Sequence, residues 1–532
     1  MKLKYIWLLL IFVGFIACEE YDYDAPDNNL VPLVAGSADF SKYVSVGNSL
    51  TAGFTDGALF QAAQNNSLPN ILAQKMALIG GGDFVQPMMS DNNGGLLLGG
   101  NKIQNQRFYF DGSGPVLIDG EPTTEVTNIL SGSFNNMGVP GAKSFHLLAN
   151  GYGNVAGVAT GQANPYFVRM ASSPNASVME DAMAQGPTFF SLWIGNNDVL
   201  SYALSGGTGV NQAGNFDPTT YGGNDITDPN VFAQVYSGLV GTLTSGGAGA
   251  KGIVANIPDV TTIPHFTTVP YNPLDPSNPA FGPQIPILNA TFAQLNQAYA
   301  YLGSLGVDVS GRSIVFSETA ASAVVIHDES IPNLAAQLAP VLIGGGLDPL
   351  TAGLLANQYG QSRQATADDL LVLPSSSVIA TLNQEYFAQL VALGVPQETA
   401  GQLSVNGITY PLQDKWVLLT SEQDEIQIAV DAFNGTIKAV ASQAGLAFLD
   451  ANALMQEMAD GGLTSGQFTL TADLVVGGAF SLDGVHLTAR GYGAIANEML
   501  EAIDATYGSN FKAAGELTDI GELPAFYPSQ MP

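Results

Sequence analysis

The chain has 532 residues, a formal net charge of −31 and only 11% charged residues, whereas soluble domains average about a quarter. The negative charge argues against binding to nucleic acid, whose phosphates it would repel, and against electrostatic docking on anionic lipid. The length allows several domains or one domain with large insertions, and the 46% of apolar residues can form a substantial core.

The N-terminus resembles the signal peptide of a bacterial lipoprotein. Two lysines precede an apolar run over 6–16, which is too short for a comfortable membrane span and is typical of a secretory signal. The sequence Phe15–Cys18 resembles a lipobox, although leucine is usual at the position of Phe15. The resemblance implies that residues 1–17 are removed and that Cys18 carries diacylglycerol. The alternative is an ordinary signal peptide that contains the chain's single cysteine, which can form no disulfide within the chain.

Residues 18–40 are typical of an acidic tether and linker. The run Glu19–Asp24 resembles the export signal that sends Bacteroidetes lipoproteins to the outer cell surface, and the alternative is a solvated charged tether. We therefore expect a protein held in the outer membrane only through lipidated Cys18. Exposure on the cell surface and a periplasmic orientation both stay open.

The folded region begins with a short strand that ends in a turn presenting a serine. The run Tyr43–Gly47 contains β-branched residues, and Asn48 and Ser49 continue the turn before a helix-like segment. A strand that stops and places a hydroxyl at the mouth of a sheet is a common way to expose a nucleophile. The same three residues, Gly-Asn-Ser, are also ordinary turn chemistry.

Residues 55–131 are rich in glycine and asparagine and are typical of an insertion, with a hairpin formed by 107–110 and 115–118. We expect the next strand of the scaffold just before Asn135. The loop Phe134–Ser144 follows, and its glycines let backbone N–H groups approach a ligand closely. It lacks the Gly-Lys-Ser/Thr ending of a phosphate loop, which excludes a Walker site.

Three apolar runs, 188–194, 252–257 and 446–449, predict strands buried on both faces of a parallel sheet. The first of them ends in the polar segment Gly195–Asp198. Open α/β proteins place their sites at the carboxyl ends of such strands. Because helical segments alternate with these strands, parallel βαβ crossovers are expected.

A second insertion is expected over roughly 265–412. Its segment 334–356 predicts two short apolar helices, for which a lid over an apolar substrate and a satellite helical core are the two interpretations, the second being favoured. After the insertion, Thr420 and Gln423 predict a capping box at the start of a long amphipathic helix.

One histidine would have to activate Ser49, because a serine hydroxyl is a poor nucleophile without an adjacent base. The chain has four histidines, and His486 is the one that follows an aspartate by three residues across a glycine turn. This spacing lets the Asp483 carboxylate reach the imidazole Nδ1–H and fix the tautomer.

The assembled motifs resemble the four blocks of the SGNH, or GDSL, hydrolases. The blocks are Gly47–Leu50, Asn135–Gly141, Gly195–Asp198 and Asp483–His486. The resemblance implies Ser49 as nucleophile, with Asp483 and His486 completing the triad. It also implies an oxyanion hole formed by the Ser49 and Gly141 backbone N–H groups and the Asn197 side chain. Asn48 departs from the family, which usually has aspartate there.

The family implies an α/β fold with three layers, α/β/α, around a mostly parallel, flavodoxin-like sheet. It implies a hydrolase domain over 41–505, carrying insertions at 55–131 and 265–412, and residues 506–532 are then a polar tail. The expected activity is hydrolysis of small-molecule, glycan or lipid esters through an acyl-enzyme, with no metal and no cofactor. The alternative is a surface lipoprotein that binds glycan or lipid on the same scaffold without catalysis.

Overall fold

The computed structural model of the protein describes residues 31–245 and 249–531. The predicted signal peptide 1–17, the predicted lipidation site Cys18 and the acidic run 19–24 lie outside the described residues.

A parallel sheet of five strands lies at the centre of the fold. In chain order, the described strands are β1 (Tyr43–Gly47), β2 (Leu96–Leu98), β3 (Asn101–Gln104), β4 (Phe108–Phe110), β5 (Pro115–Leu117), β6 (Asn136–Gly138), β7 (Phe189–Trp193), β8 (Lys251–Ala255), β9 (Val325–His327), β10 (Ser362–Gln364), β11 (Leu370–Leu371), β12 (Val417–Leu418), β13 (Ala447–Leu449), β14 (Leu463–Ser465) and β15 (Phe468–Leu470). The central order is β13-β8-β7-β1-β6, and every pairing in it is parallel. The remaining strands form two-stranded antiparallel pairs. The chain is therefore an α/β protein.

Helices cover this sheet in two groups. In chain order, the described α-helices are α1 (Ser49–Ala52), α2 (Gln61–Asn65), α3 (Leu68–Ala77), α4 (Pro165–Met170), α5 (Val178–Met183), α6 (Asn197–Leu204), α7 (Pro229–Ser245), α8 (Pro264–Thr267), α9 (Ile285–Ser304), α10 (Ala335–Gly344), α11 (Pro349–Tyr359), α12 (Gln384–Ala392), α13 (Gln397–Gln402), α14 (Thr420–Ala444), α15 (Ala451–Asp460) and α16 (Ala489–Tyr507). Helix α14 contacts β8, β13 and α7, whereas α16 contacts β8, β13 and α3. Every residue of β1 and β7 is buried, as expected for a covered parallel sheet.

Most of the predicted strands are confirmed. The strand predicted over Tyr43–Gly47 is β1. Two of the three apolar runs predicted as strands contain β7 and β13, and the third overlaps β8, which begins one residue earlier at Lys251. The hairpin predicted in the first insertion is also present, with Phe108 opposite Leu117 and Phe110 opposite Pro115.

Two local predictions are wrong. The strand expected just before Asn135 is β6, which begins at Asn136, because its pairing with β1 sets Asn136 opposite Ser45. The capping box expected from Thr420 and Gln423 starts one residue earlier. The Glu422 carboxylate accepts a hydrogen bond from the Leu419 N–H at 2.7 Å, so that Leu419 is the N-cap of α14.

The second insertion, residues 265–412, builds an apolar core of its own. Phe292 of α9, Leu338 of α10 and Ala352 of α11 are buried in one cluster that is separate from the core around the central sheet. Helices α10 and α11 contact each other and α10 also contacts α9. The segment 334–356 therefore belongs to a satellite helical core.

The residues after α16 return to the main body. Phe511, Ile520 and Tyr527 are buried, and the Tyr527 ring meets the Phe60 ring edge-on at 5.0 Å. The described residues 506–531 thus pack partly against the fold, whereas a polar tail was expected over 506–532. Among the described helices, none is long and apolar enough to cross a membrane.

Candidate active site

Three of the predicted motifs meet at the carboxyl edge of the central sheet. Strand β1 lies between β6 and β7, and Gly47 pairs with Gly138 on one side and with Trp193 on the other. The segments that follow these three residues carry Ser49, Gly141 and Asn197. The parallel register therefore brings together side chains that are up to 148 residues apart in the chain.

Ser49 is the first residue of the one-turn helix α1. Asn48 caps this helix, because its Oδ1 accepts a hydrogen bond from the Leu50 N–H at 3.0 Å. Gly47 has to be glycine: a Cβ there would lie 2.2 Å from Thr51 Oγ1 and 2.4 Å from the Trp193 carbonyl oxygen. The Ser49 N–H is among the first helical donors that have no partner within a helix. Ser49 is 8% exposed, so that its hydroxyl is sheltered but reachable.

Asn48 uses both ends of its amide. Besides accepting from Leu50, it donates through Nδ2 to Asn196 Oδ1 at 3.0 Å, and it is almost fully buried. An aspartate could accept but could not donate, so it would require the Asn196 amide to rotate. The departure from the family pattern is thus matched by the neighbouring asparagine.

The predicted base and acid are in contact. His486 Nδ1 lies 2.9 Å from Asp483 Oδ2, and both side chains are largely buried. The His486 ring also packs against the Phe54 ring at a centroid distance of 4.6 Å. The loop that precedes α16 therefore presents His486 with its orienting carboxylate in place.

The Asp483 carboxylate is saturated with donors. Oδ1 accepts hydrogen bonds from Ser481 Oγ and from the N–H groups of Val485 and His486, and Oδ2 also accepts from the Gly57 N–H at 2.8 Å. Burial alone would raise the pKa of Asp483. The attraction of His486 and the hydrogen bonds from His486 and Val485 outweigh burial and hold this pKa well below its usual range. A permanently ionised carboxylate is suited to stabilise an imidazolium.

The predicted oxyanion donors Asn197 and Gly141 differ in their position relative to the pocket around Ser49. Asn197 begins α6, and its Nδ2 donates to the Ala142 carbonyl at 2.9 Å, which orients the amide and leaves its second N–H available. Gly141 has a φ of +80° and is exposed, and within the described residues its N–H donates to no protein group. Asn197 lines the pocket described below, whereas Gly141 does not.

Asp198, to which the motifs assigned no role, connects the second and third motifs. Its carboxylate accepts hydrogen bonds from the Ser144 N–H at 2.8 Å and from Ser144 Oγ at 2.7 Å. Its side chain is fully buried, and this burial raises the pKa of Asp198. The signal was present in the sequence, because Asp198 closes the Gly-x-Asn-Asp segment that also contains Asn197.

An apolar pocket of about 60 Å³ is lined by both Ser49 and His486. Ser49, Asn197 and His486 lie on its wall. The apolar part of the lining includes Val260, Ile263, Leu454, Met455, Met458 and Phe480. Within the described structure, Ser49 Oγ and His486 make no direct hydrogen bond, although both face this pocket. Such bonds are often long without substrate and tighten in the complex.

Asp56, to which no motif pointed, is a buried carboxyl beside the loop 481–486. Its N–H donates to Ser481 Oγ at 3.0 Å, and its Oδ1 accepts from the Leu482 N–H at 3.1 Å. Its φ of +52° is unusual for a residue other than glycine. Burial, with a smaller contribution from the Asp483 carboxylate, raises the pKa of Asp56 to about 7.

The other histidines are not placed as the base. His146 Nδ1 accepts a hydrogen bond from the Lys143 N–H at 3.0 Å, and burial lowers the pKa of His146 to about 4. His265 contacts the loop 481–486 through its backbone, whose N–H donates to the Gly484 carbonyl at 2.9 Å. Burial lowers the pKa of His265 to about 4 as well. Neither residue lines the Ser49 pocket.

One group of acidic side chains has the spacing of a cation site. Among the described residues, Glu329, Asp414 and Glu422 bring carboxylate oxygens within 4.8 Å of one another. Burial raises the pKa of Asp414 to about 7 and that of Glu422 to about 9, so that these groups favour their protons. None of the three lines the Ser49 pocket, so that this group gives no reason to place a metal beside the nucleophile.

The chain matches no protein-family model, and no similar protein was found among the curated proteins or the solved structures.

Proposed function

We propose that the protein is a serine ester hydrolase of the SGNH/GDSL type. The observation that supports this most strongly is the 2.9 Å contact between His486 Nδ1 and Asp483 Oδ2, on a loop that places His486 in one pocket with Ser49. The parallel strand order and the two groups of covering helices agree with the three-layer, flavodoxin-like fold of that family.

In the proposed reaction, Ser49 Oγ attacks the ester carbonyl carbon while His486 Nε2 takes the hydroxyl proton. The Asp483 carboxylate stabilises the resulting imidazolium. The negative charge on the tetrahedral oxygen is held by the Ser49 N–H and the Asn197 amide, with Gly141 as a third donor. The intermediate collapses, the C–O bond to the alcohol breaks, and His486 returns the proton to the leaving alcohol. Water, deprotonated by His486, then attacks the acyl-enzyme. The bond from the acyl carbon to Ser49 Oγ breaks, His486 returns the proton to this oxygen, and the carboxylic acid leaves.

The size of the pocket favours short acyl groups. At about 60 Å³ it has room for roughly four to six water molecules of about 10–15 Å³ each. Its lining is mainly apolar, and the segment 334–356 contributes nothing to it. We therefore propose acetyl to butyryl esters as substrates. The alcohol part lies outside this pocket and is either a glycan or a small molecule.

A fluorophosphonate probe tests the proposal directly. The folded wild type is expected to be labelled on Ser49, and Ser49→Ala is expected to lose the label while it keeps the wild-type melting temperature. An unlabelled wild type, or labelling that survives in Ser49→Ala, would contradict the assignment as a serine hydrolase. Initial rates on p-nitrophenyl acetate, butyrate and palmitate then test the acyl length, with the palmitate ester expected to be the poorest.

A binding function without catalysis is the second candidate. It is favoured by the absence of a direct hydrogen bond between Ser49 and His486 in the described structure and by the exposed position of Gly141. It predicts that acyl esters bind to the Ser49 pocket and are recovered intact after long incubation.

The proposed location is the outer membrane, through diacylglycerol on Cys18. Metabolic labelling with a radioactive fatty acid is expected to mark the wild type and not Cys18→Ala. Protease treatment of intact cells then separates surface exposure from a periplasmic orientation.

A further inference from the structure

The second insertion contains a cavity far larger than the Ser49 pocket. Its volume is about 590 Å³, within the range of ~300–1,000 Å³ that is usual for small-molecule sites. It lies among α9, the α10–α11 pair and α13, and it shares no lining residue with the Ser49 pocket. The insertion therefore encloses a second space that the proposed hydrolysis does not use.

The wall of this cavity is built from helix faces. On α9 the lining residues recur at helical spacing, as they do on α11, so each helix turns one face into the space. The inner wall includes Phe292, Leu295, Leu342, Leu355, Tyr359 and Ile408. Five of these six side chains are buried and Leu355 is half-buried. The interior is suited to a hydrocarbon chain.

The rim of the cavity is uncharged and accessible. Ile287 lines the cavity although it is 69% exposed, which marks the side on which the space opens. Gln284, Thr291, Thr399 and Gln402 also line it and are exposed. Amide and hydroxyl groups at this mouth can hydrogen-bond a polar headgroup that carries no charge.

Charge restricts the ligand further. The lining contains no aspartate, glutamate, lysine, arginine or histidine. The insertion 265–412 has two basic side chains besides histidine, Arg312 and Arg363. Arg312 donates to two backbone carbonyls, and Arg363 is paired with Asp328 and Asp369 at 2.5 and 2.6 Å. An anionic headgroup would find no free cation here, and the net charge of −31 would repel it.

We propose that this cavity binds the hydrocarbon chain of a neutral lipid, an uncharged fatty-acyl ester whose headgroup stays at the rim. The site is separate from the Ser49 pocket and does not depend on the proposed catalysis. It gives the second insertion a binding role.

Calorimetric titration with 1-monolauroylglycerol, below its critical aggregation concentration, tests the proposal. Ser49→Ala serves as the background so that no ester is consumed. Leu288→Trp and Leu355→Trp fill the cavity from two helices, and because both leucines are half-buried, an indole can enter without displacing the core. Each is expected to weaken binding by about tenfold or more, equal to ~1.4 kcal/mol. Laurate, the anionic counterpart, is expected to bind at least about tenfold more weakly than the neutral ester.

Two matched variants control the measurement. Ile428→Trp adds an indole at a residue of α14 that is 69% exposed and lines neither cavity, and it is expected to leave the affinity unchanged. Leu454→Trp fills the Ser49 pocket and is expected to have no effect either. Loss of binding in Leu454→Trp with full binding in both cavity-filling variants would overturn the proposal. So would laurate binding as tightly as the neutral ester, or no binding by the folded protein.

Discussion

Replacing Asp483 with asparagine tests how the loop 481–486 fixes the state of His486. In the wild type, three donors converge on Oδ1, namely Ser481 Oγ and the N–H groups of Val485 and His486. Two more, the Gly57 N–H and His486 Nδ1, converge on Oδ2. Asparagine has a single side-chain oxygen. This oxygen is expected to take the position of Oδ1, because three donors meet there and only two meet at Oδ2. The new NH₂ group therefore faces Gly57 and the imidazole.

This orientation has two consequences. The Gly57 N–H loses its acceptor in a partly buried site, which costs about 1 kcal/mol of stability, at the low end of the range for a group left without a partner. His486 Nδ1 must now accept a hydrogen bond, so its proton moves to Nε2, which can no longer take the proton of Ser49. A tautomer error of this kind lowers kcat by about 10⁴-fold, or ~5 kcal/mol in the barrier.

The assay is the initial rate on p-nitrophenyl acetate with thermal unfolding measured on the same samples. Asp460→Asn, at the exposed end of α15, is the matched control and is expected to retain both activity and melting temperature. Activity of Asp483→Asn within about tenfold of the wild type would refute the tautomer argument. A full loss of folding would be separated from it by the melting curve.

Four further predictions follow from single residues. Asn197→Ala is expected to lower kcat on p-nitrophenyl acetate by about 10²–10³-fold with little change in KM, because the lost amide acts on the transition state. Asp56, whose pKa is raised to about 7, prefers its proton in the folded state, so its stabilisation is full below pH ~4 and lost as the pH rises through ~7. The melting temperature of Asp56→Asn minus that of the wild type should therefore be larger at pH 8 than at pH 5. A smaller difference at pH 8 would contradict the expected sign. Gly484→Ala should lower the free energy of unfolding by more than Gly508→Ala does, since both glycines have a positive φ but only a Cβ at Gly484 would lie 3.0 Å from a backbone nitrogen. Gly508→Ala is the control and is expected to cost ~1–2 kcal/mol. Chemical denaturation measures both variants. Asn48→Asp should keep activity within about tenfold, whereas Asn48→Leu should lose about 1–3 kcal/mol of stability along with activity.

The sequence predicted the strands of the sheet well where local signals were strong. Strands β1, β7, β8 and β13 are apolar runs, often β-branched or aromatic, and such residues suit a sheet buried on both faces. Strand β6 is different: it contains Asn136 and Gly138 and lies at the sheet edge, so its position depends on pairing with β1 and could not be read from its own residues.

The contact between Asp483 and His486 could be predicted because the two residues are close in the sequence. Asp56 gave no such signal, because its contacts with Ser481 and Leu482 join residues more than 400 positions apart. A positive φ at an aspartate is likewise imposed by its surroundings and has no pattern in composition or periodicity. Both cavities were beyond prediction for the same reason, since their walls are assembled from distant helices.

Both insertions hold the loop 481–486 through residues at or near their first positions. In the first, which starts at Thr55, the backbone N–H groups of Asp56 and Gly57 donate to Ser481 Oγ and to Asp483 Oδ2. The second starts with His265, whose N–H donates to the Gly484 carbonyl. The loop that orients the base is thus fixed from two sides by the first residues of each insertion. Sequence changes deep inside either insertion can therefore accumulate without moving the base, whereas changes at these first residues act directly on it.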